Sequence, residues 1–266
     1  MKETVYRIPA PVHFSIALLA DTHNIAPTDI LLSLKTYQPD LICVAGDILI
    51  GYRPEGNELI VKEQENVLPL VSGCVSVAPT FISLGNHEWM ICQEDIVALE
   101  SAGAVILDNR FISHTVNGMR LWMGGLTSAI VTNFQHFREE KGGRYPYRPR
   151  HSHSSHLETD SAWLSEFEKQ NGYKVLLCHH PEYWSLREPW LSEKQIDLAL
   201  SGHAHGGQVR LFGQGLYAPG QGWMPKFTSG VCDGKLIVSR GLANTAGVPR
   251  LFNEPEIVYV EVGEDG

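Results

Sequence analysis

The chain has no apolar stretch near the ~18–20 residues that a bilayer-spanning helix requires. Its longest early run, Phe14 to Ala20, follows Pro9 and Pro11, and Glu3 and Arg7 break any pattern of basic start, apolar stretch and cleavage site. A cytoplasmic protein without a membrane anchor is expected. Cysteine is scarce: Cys43, Cys74, Cys92, Cys178 and Cys232 are an odd number with no C-x-x-C spacing, which excludes a disulfide framework and a thiolate zinc site. They read as reduced core residues. Positive charge is also short, 21 Lys and Arg against 30 Asp and Glu, for a net charge of −9. No nucleic-acid partner is expected from that balance, and an anionic substrate must be met by local positive charge. Internal repeats are missing, as is any linker separating two cores.

What is present is an enzyme-sized packing unit. The 266 residues are 43% hydrophobic and 19% charged, ordinary values for a globular chain. One domain over residues 1–266 is expected, large enough to need no disulfide or metal staple.

Apolar runs end repeatedly in short polar signatures. Phe14–Ala20 reads as a buried strand ending at Asp21-Thr22-His23, and Leu41–Ala45 as one ending at Gly46-Asp47. Thr80–Leu84 ends at Gly85-Asn86-His87-Glu88, Tyr173–Cys178 at His179, and Ile196–Leu200 at Gly202-His203-Ala204-His205. Helical patterns lie between them, over Pro27–Tyr37, Asn57–Val71, Gln93–Ser101 and Thr159–Gln170. Later the rhythm changes. Asn117-Gly118 predicts a hairpin between Phe111–Val116 and Met119–Gly124, Asp233-Gly234 a second, and a last strand runs through Ile257–Val262. Two sheets flanked by helices fit this better than one parallel sheet.

Ligands of open α/β sheets bind at the carboxyl ends of strands, and here each buried strand delivers an oxygen or nitrogen donor at that end. Asp21 and His23, two apart in an extended chain, are expected to point the same way. With Asp47, Asn86, His179, His203 and His205 they make seven candidate ligands. A catalytic zinc takes three protein ligands plus water, so seven suggest two ions, with Asp47 as the shared carboxylate. Donors without thiolate favour Mn, Fe or Zn.

The ordered set Asp21-x-His23, Gly46-Asp47, Gly85-Asn86-His87-Glu88, His179 and Gly202-His203-x-His205 resembles the calcineurin-like metallophosphoesterase superfamily over about residues 14 to 242. Gly206-Gly207-Gln208, followed by Gly215 to Gly220, is similar to a small prokaryotic branch of it. The resemblance implies a four-layer α/β/β/α sandwich with two mixed sheets and a dinuclear site at the strand ends. It implies one ion on Asp21, His23, Asp47 and His205, and the other on Asp47, Asn86, His179 and His203. It selects His179 over its neighbour His180 as ligand, and places His87 beside the leaving group as a proton donor that does not bind metal.

The expected activity is hydrolysis of a phosphodiester or pyrophosphate bond in a small phosphorylated substrate by a hydroxide bridging the two ions, which also neutralise the phosphoryl oxygens. Phosphomonoester hydrolysis and a non-catalytic metal-binding scaffold are the alternatives. Trp184, Trp190 and Trp223 read more readily as core than as the wall of an apolar pocket. Arg240 stands either against a phosphate or against a carboxylate. Residues 133–156, rich in arginine and tyrosine and ending in His151, His153 and His156, read as an inserted loop or lid over the site.

Overall fold

A computed structural model describes residues 1–51, 59–132, 159–245 and 247–264. The expected insertion at 133–156, with its three histidines, lies outside these residues. Within them lie sixteen strands and five helices, besides a helical stretch at 129–132. Strands β1 (Lys2–Pro9), β2 (Phe14–Leu19), β3 (Leu41–Ala45), β4 (Thr80–Ser83) and β5 (Val105–Ile106) belong to the first sheet, and β6 (Arg110–Val116), β7 (Met119–Leu126), β8 (Tyr173–Cys178) and β9 (Leu198–Ser201) to the second. Two small ribbons follow, β10 (Arg210–Leu211) with β11 (Gln214–Gly215) and β12 (Tyr217–Ala218) with β13 (Gly222–Trp223). Strands β14 (Gly230–Cys232) and β15 (Leu236–Val238) return to the second sheet, and β16 (Glu256–Gly263) closes the chain in the first. The helices are α1 (Thr28–Tyr37), α2 (Ile60–Glu63), α3 (Val67–Val75), α4 (Gln93–Ser101) and α5 (Leu164–Glu168).

Both sheets are mixed. The first runs β1-β16-β2-β3-β4-β5, with β2 to β5 parallel and β16 antiparallel to β2. The second runs β14-β15-β9-β8-β7-β6, parallel from β15 to β7 and antiparallel at both edges. Central strands buried on both faces must be apolar almost throughout, and their period of two divides them between two cores. Phe14, Ile16 and Leu18 of β2 meet Val175 and Leu177 of β8 and Leu198 and Leu200 of β9 between the sheets. Ala17 and Leu19 face the other way, onto Ile30 and Leu34 of α1 and Leu70 and Val71 of α3. On the outer face of the second sheet, Leu176, Ala199 and Val238 pack under Phe167 of α5, with Tyr183 and Trp184 beside them. The layers are therefore helix, sheet, sheet, helix.

Three sequence expectations change. The pattern over 57–71 is two helices rather than one: the side chain of Gln64 leaves the helical run to accept from Ile50 N and donate to Ile50 O, and α3 restarts at Val67. The helix predicted over 159–170 shrinks to Leu164–Glu168, the Thr159 hydroxyl instead donating to Thr127 O. Strand β1 was not foreseen. It is an edge strand paired in parallel with β16, so its partner lies more than two hundred residues away in the chain. Among the described residues no helix is long and apolar enough to cross a membrane.

Phe167 is fully buried, and a Cβ on Gly124 would come within 3.2 Å of its ring. Phe167→Ala is expected to cost about 3–5 kcal/mol in urea denaturation; a loss under about 1 kcal/mol would show that the outer layer does not depend on this ring.

Candidate metal centre

Because β2, β3 and β4 run parallel, as do β7, β8 and β9, their carboxyl ends open onto one edge of the sandwich. The chain turns sharply there. Asp21, His23, Asp47, His203 and His205 all adopt positive φ, between 41° and 67°. The expectation of an extended Asp-x-His is corrected by this: Asp21 and His23 sit in left-handed turns, because a chain continuing in extended form would carry His23 away from the edge. Such conformations are sparsely populated for residues with a Cβ and persist only where surroundings enforce them. Here the loops after β2 and β3 are laced together by Asp21 N to Gly46 O, His23 N to Asp47 O and Asn24 N to Ile48 O. Close approach is also needed between the β3 and β4 ends. A Cβ on Gly85 would lie 2.2 Å from Asp47 Oδ1, and one on Gly46 would meet Gly85 Cα at 2.7 Å.

Six of the seven predicted donors lie in two groups whose ligand atoms are all within 4.8 Å of one another: Asp21, His23 and His205 in one, Asp47, His179 and His203 in the other. Asn86, the seventh, shares a cavity wall with Asp47 and His203. Asp47 Oδ2 stands 3.1 Å from His179 Nε2 and 3.8 Å from His23 Nε2. Asp21 Oδ1 stands 3.4 Å from His205 Nε2 and 3.9 Å from both His23 Nε2 and His179 Nε2.

Two of the rings are oriented as ligands. His23 Nδ1 donates to Leu49 O at 2.9 Å and His179 Nδ1 to Ala45 O at 2.7 Å, which turns each Nε2 inward. Among the described residues His23 Nε2 and Asn86 Oδ1 make no hydrogen bond although buried, and His179 Nε2 meets only the Asp47 carboxylate, 3.1 Å away. Burying unsatisfied polar atoms is costly, and divalent cations beside these groups would satisfy them. The donor set therefore fits a metal. One contact opposes it: Arg250 Nη2 donates to His205 Nδ1 at 3.1 Å, so this guanidinium must swing aside before His205 Nε2 can bind an ion.

His87 also lies within ligand distance, its Nε2 3.9 Å from Asp47 Oδ2. Its Nδ1, however, accepts the backbone N–H of Gly51 at 2.9 Å, which fixes the ring proton on Nε2. Unlike a guanidinium, a backbone amide cannot swing away, so His87 offers a proton rather than a lone pair. Glu88 holds the loops in register by accepting from Gly85 N, Asp47 N and Leu49 N. Burial and the neighbouring Asp47 carboxylate push its pKa up to about 7 against the Leu49 and Asp47 amides.

Other residues fall as follows. Trp184 is core, its Nε1 donating to Asp233, but Trp223 is 78% exposed and lines the cavity, against the expectation of burial. Arg240 stands against a carboxylate, with Nε 3.7 Å from Glu256. Cys178 is buried, and that burial raises its thiol pKa, as befits a core residue. Reading the sequence missed Glu182, which lines the cavity with His180; the only signal was a glutamate three residues beyond a ligand histidine.

Comparison with known proteins identifies the family. The sequence profile of the calcineurin-like phosphoesterase family matches residues 14–207, and the chain belongs to that family. It is 26% identical to the Bacillus subtilis protein YpbG over 91% of its own length and 78% of that protein. It is 27% identical to an uncharacterised metallophosphoesterase of Helicobacter pylori over 98% of its length, yet spans only 63% of that relative. A dimetal phosphatase from Danio rerio has the same fold, with a TM-score of 0.51 at 13% identity, covering 87% of this chain and 88% of that one.

Burial works against a charge on His179, but the Asp47 and Asp21 carboxylates outweigh it and raise its pKa to about 10. His23, lowered to about 4 chiefly by burial, is neutral at physiological pH. A cation must therefore displace a proton from His179 and none from His23. Calorimetric titration with MnCl2 near neutral pH, in buffers of different ionisation enthalpy, is expected to show about one proton released by His179. Apparent affinity should rise with pH up to about 10, where that gain ends. Heats independent of buffer would show that His179 carries no such proton.

Proposed function

We propose that the chain hydrolyses a phosphodiester or pyrophosphate bond of a small phosphorylated molecule, using two divalent ions. Asp21, His23, Asp47 and His205 would hold one, and Asp47, Asn86, His179 and His203 the other. The observation that carries this reading is the inward-facing set of donors, with His23 Nε2 and Asn86 Oδ1 lacking any hydrogen bond among the described residues, set beside a cavity of about 660 Å³. When bound, such ions supply the positive charge that activates water at neutral pH and offsets charge developing on the phosphoryl oxygens.

The protein's own groups do the rest. Asp47 Oδ1 accepts the backbone N–H of His87 at 2.8 Å, tying the proton donor to the proposed bridging carboxylate. His87 Nε2–H borders the cavity and delivers its proton to the departing oxygen, a step worth roughly 10²–10⁴-fold. The cavity is larger than a bare phosphate needs. Tyr217 and Trp223, ring centroids 5.7 Å apart, form an apolar wall with Val248 for the organic part of the substrate, which supports an ester carrying a sizeable group.

Asp47→Asn is expected to reduce turnover of bis-p-nitrophenyl phosphate with added Mn by more than about 100-fold, with fewer ions retained by elemental analysis. Wild-type turnover in that variant would reject a bridging carboxylate. His87→Ala should keep its ions and slow an alkyl phosphodiester by about 10²–10⁴-fold while slowing the p-nitrophenyl ester far less, since that leaving group barely needs a proton. Equal slowing of both would leave His87 a positioning role only.

A further inference from the structure

His203 also belongs to a second group of donors, outside the seven. His180 Nδ1 lies 3.4 Å from Glu182 Oε1, and His203 Nε2 lies 3.9 Å from the same oxygen. One ligand atom from each residue falls within 4.8 Å of the other two. All three side chains are buried and line the cavity. A short 3₁₀ turn, Pro181–Tyr183, carries Glu182 back beneath the end of β8. The backbone of Gly220 closes over it, since a Cβ there would lie 2.0 Å from Glu182 Oε1.

The spacing suits an ion better than hydrogen bonds. A good N–H···O bond spans about 2.7–3.2 Å, whereas donors each about 2.1 Å from a tetrahedral cation lie roughly 3.4 Å apart. The same 3.1–3.9 Å separations occur among the donors around Asp21 and Asp47. Two further observations point to a ligand. Glu182 is 2% exposed, and its second oxygen, Oε2, has no hydrogen-bond partner among the described residues. Ser128 Oγ stands 2.8 Å from His180 Nε2 and holds the ring with Nδ1 turned toward Glu182, the side on which an ion would sit.

We propose that His180, Glu182 and His203 form a third cation site, taking a divalent transition ion such as Mn or Zn. His180 and Glu182 serve this ion alone. His203 turns Nε2 toward Glu182; sharing it with the second ion of the proposed pair through Nδ1 makes the ring an imidazolate, its proton released to solvent, so the proposal rests on that reading at His203 only. Remaining coordination positions open to the cavity, where water or a phosphate oxygen of the substrate completes the shell.

The test uses the full chain crystallised with excess MnCl2, with anomalous diffraction at the Mn edge and elemental analysis after equilibrium dialysis. Three anomalous peaks are expected, one of them between His180 and Glu182, and about three ions per chain. Glu182→Gln and His180→Ala should each lose that peak and fall from about three ions to two, the retained pair showing that the variants fold. Wild-type protein with peaks only beside Asp21 and Asp47 would overturn the proposal and leave Glu182 as a hydrogen-bonding support for His203. A third peak surviving in both variants would overturn it as well. A peak at His180 and Glu182 with none at Asp47 would instead sink the two-ion reading while leaving this one in place.

Discussion

The Asp47 carboxylate is buried, and burial alone would keep it protonated; the rings of His179, His87 and His23 outweigh that and hold its pKa well below the usual carboxylate range. Most of the surrounding architecture serves this one anion. Its backbone N–H is taken by Glu88, its Oδ1 by the His87 amide, and its Oδ2 faces the three imidazoles. Glycines at 46 and 85 leave room for the carboxylate, because any side chain at Gly85 would displace it. A buried charge without compensation is expensive, so the strand ends converge from both sheets to compensate it, and the convergence makes a cation pocket.

That constraint explains the two-sheet architecture. A single parallel sheet would bring the ends of neighbouring strands together, as β2, β3 and β4 do for Asp21, Asp47 and Asn86. His179, His203 and His205 come from the ends of β8 and β9 of the facing sheet, and the apolar core between the sheets sets the gap across which they meet the carboxylates. Arg250 and the cavity wall at Tyr217 and Trp223 then arrive from the long connection between β9 and β16. The strand ends carry the ionic chemistry, and this connection supplies the apolar surface beside it.

Much of this was legible in the chain. Donors at the ends of apolar runs are local signals, and the strand at Leu41–Ala45 and the helix at Gln93–Ser101 fall on the predicted bounds. Other features depend on partners distant in sequence. Strand β1 shows half-exposed alternation and gains its identity only from pairing with β16. The left-handed turns at Asp21 and His23 are enforced by the β3 loop and so could not be read from an Asp-x-His spacing. Glu182, after a proline, carries no local signal of its place, since only the 3₁₀ turn buries it against His180 and His203.

The proposed function requires that Asp47 join two ions in one centre. Electron paramagnetic resonance of the Mn-loaded chain measures that directly, because two Mn ions sharing a carboxylate are exchange-coupled and separate ions are not. A coupled spectrum that gives way to isolated-ion signals in Asp47→Asn is expected. Isolated Mn signals alone, in wild-type protein that nonetheless hydrolyses phosphodiesters at full rate, would contradict it.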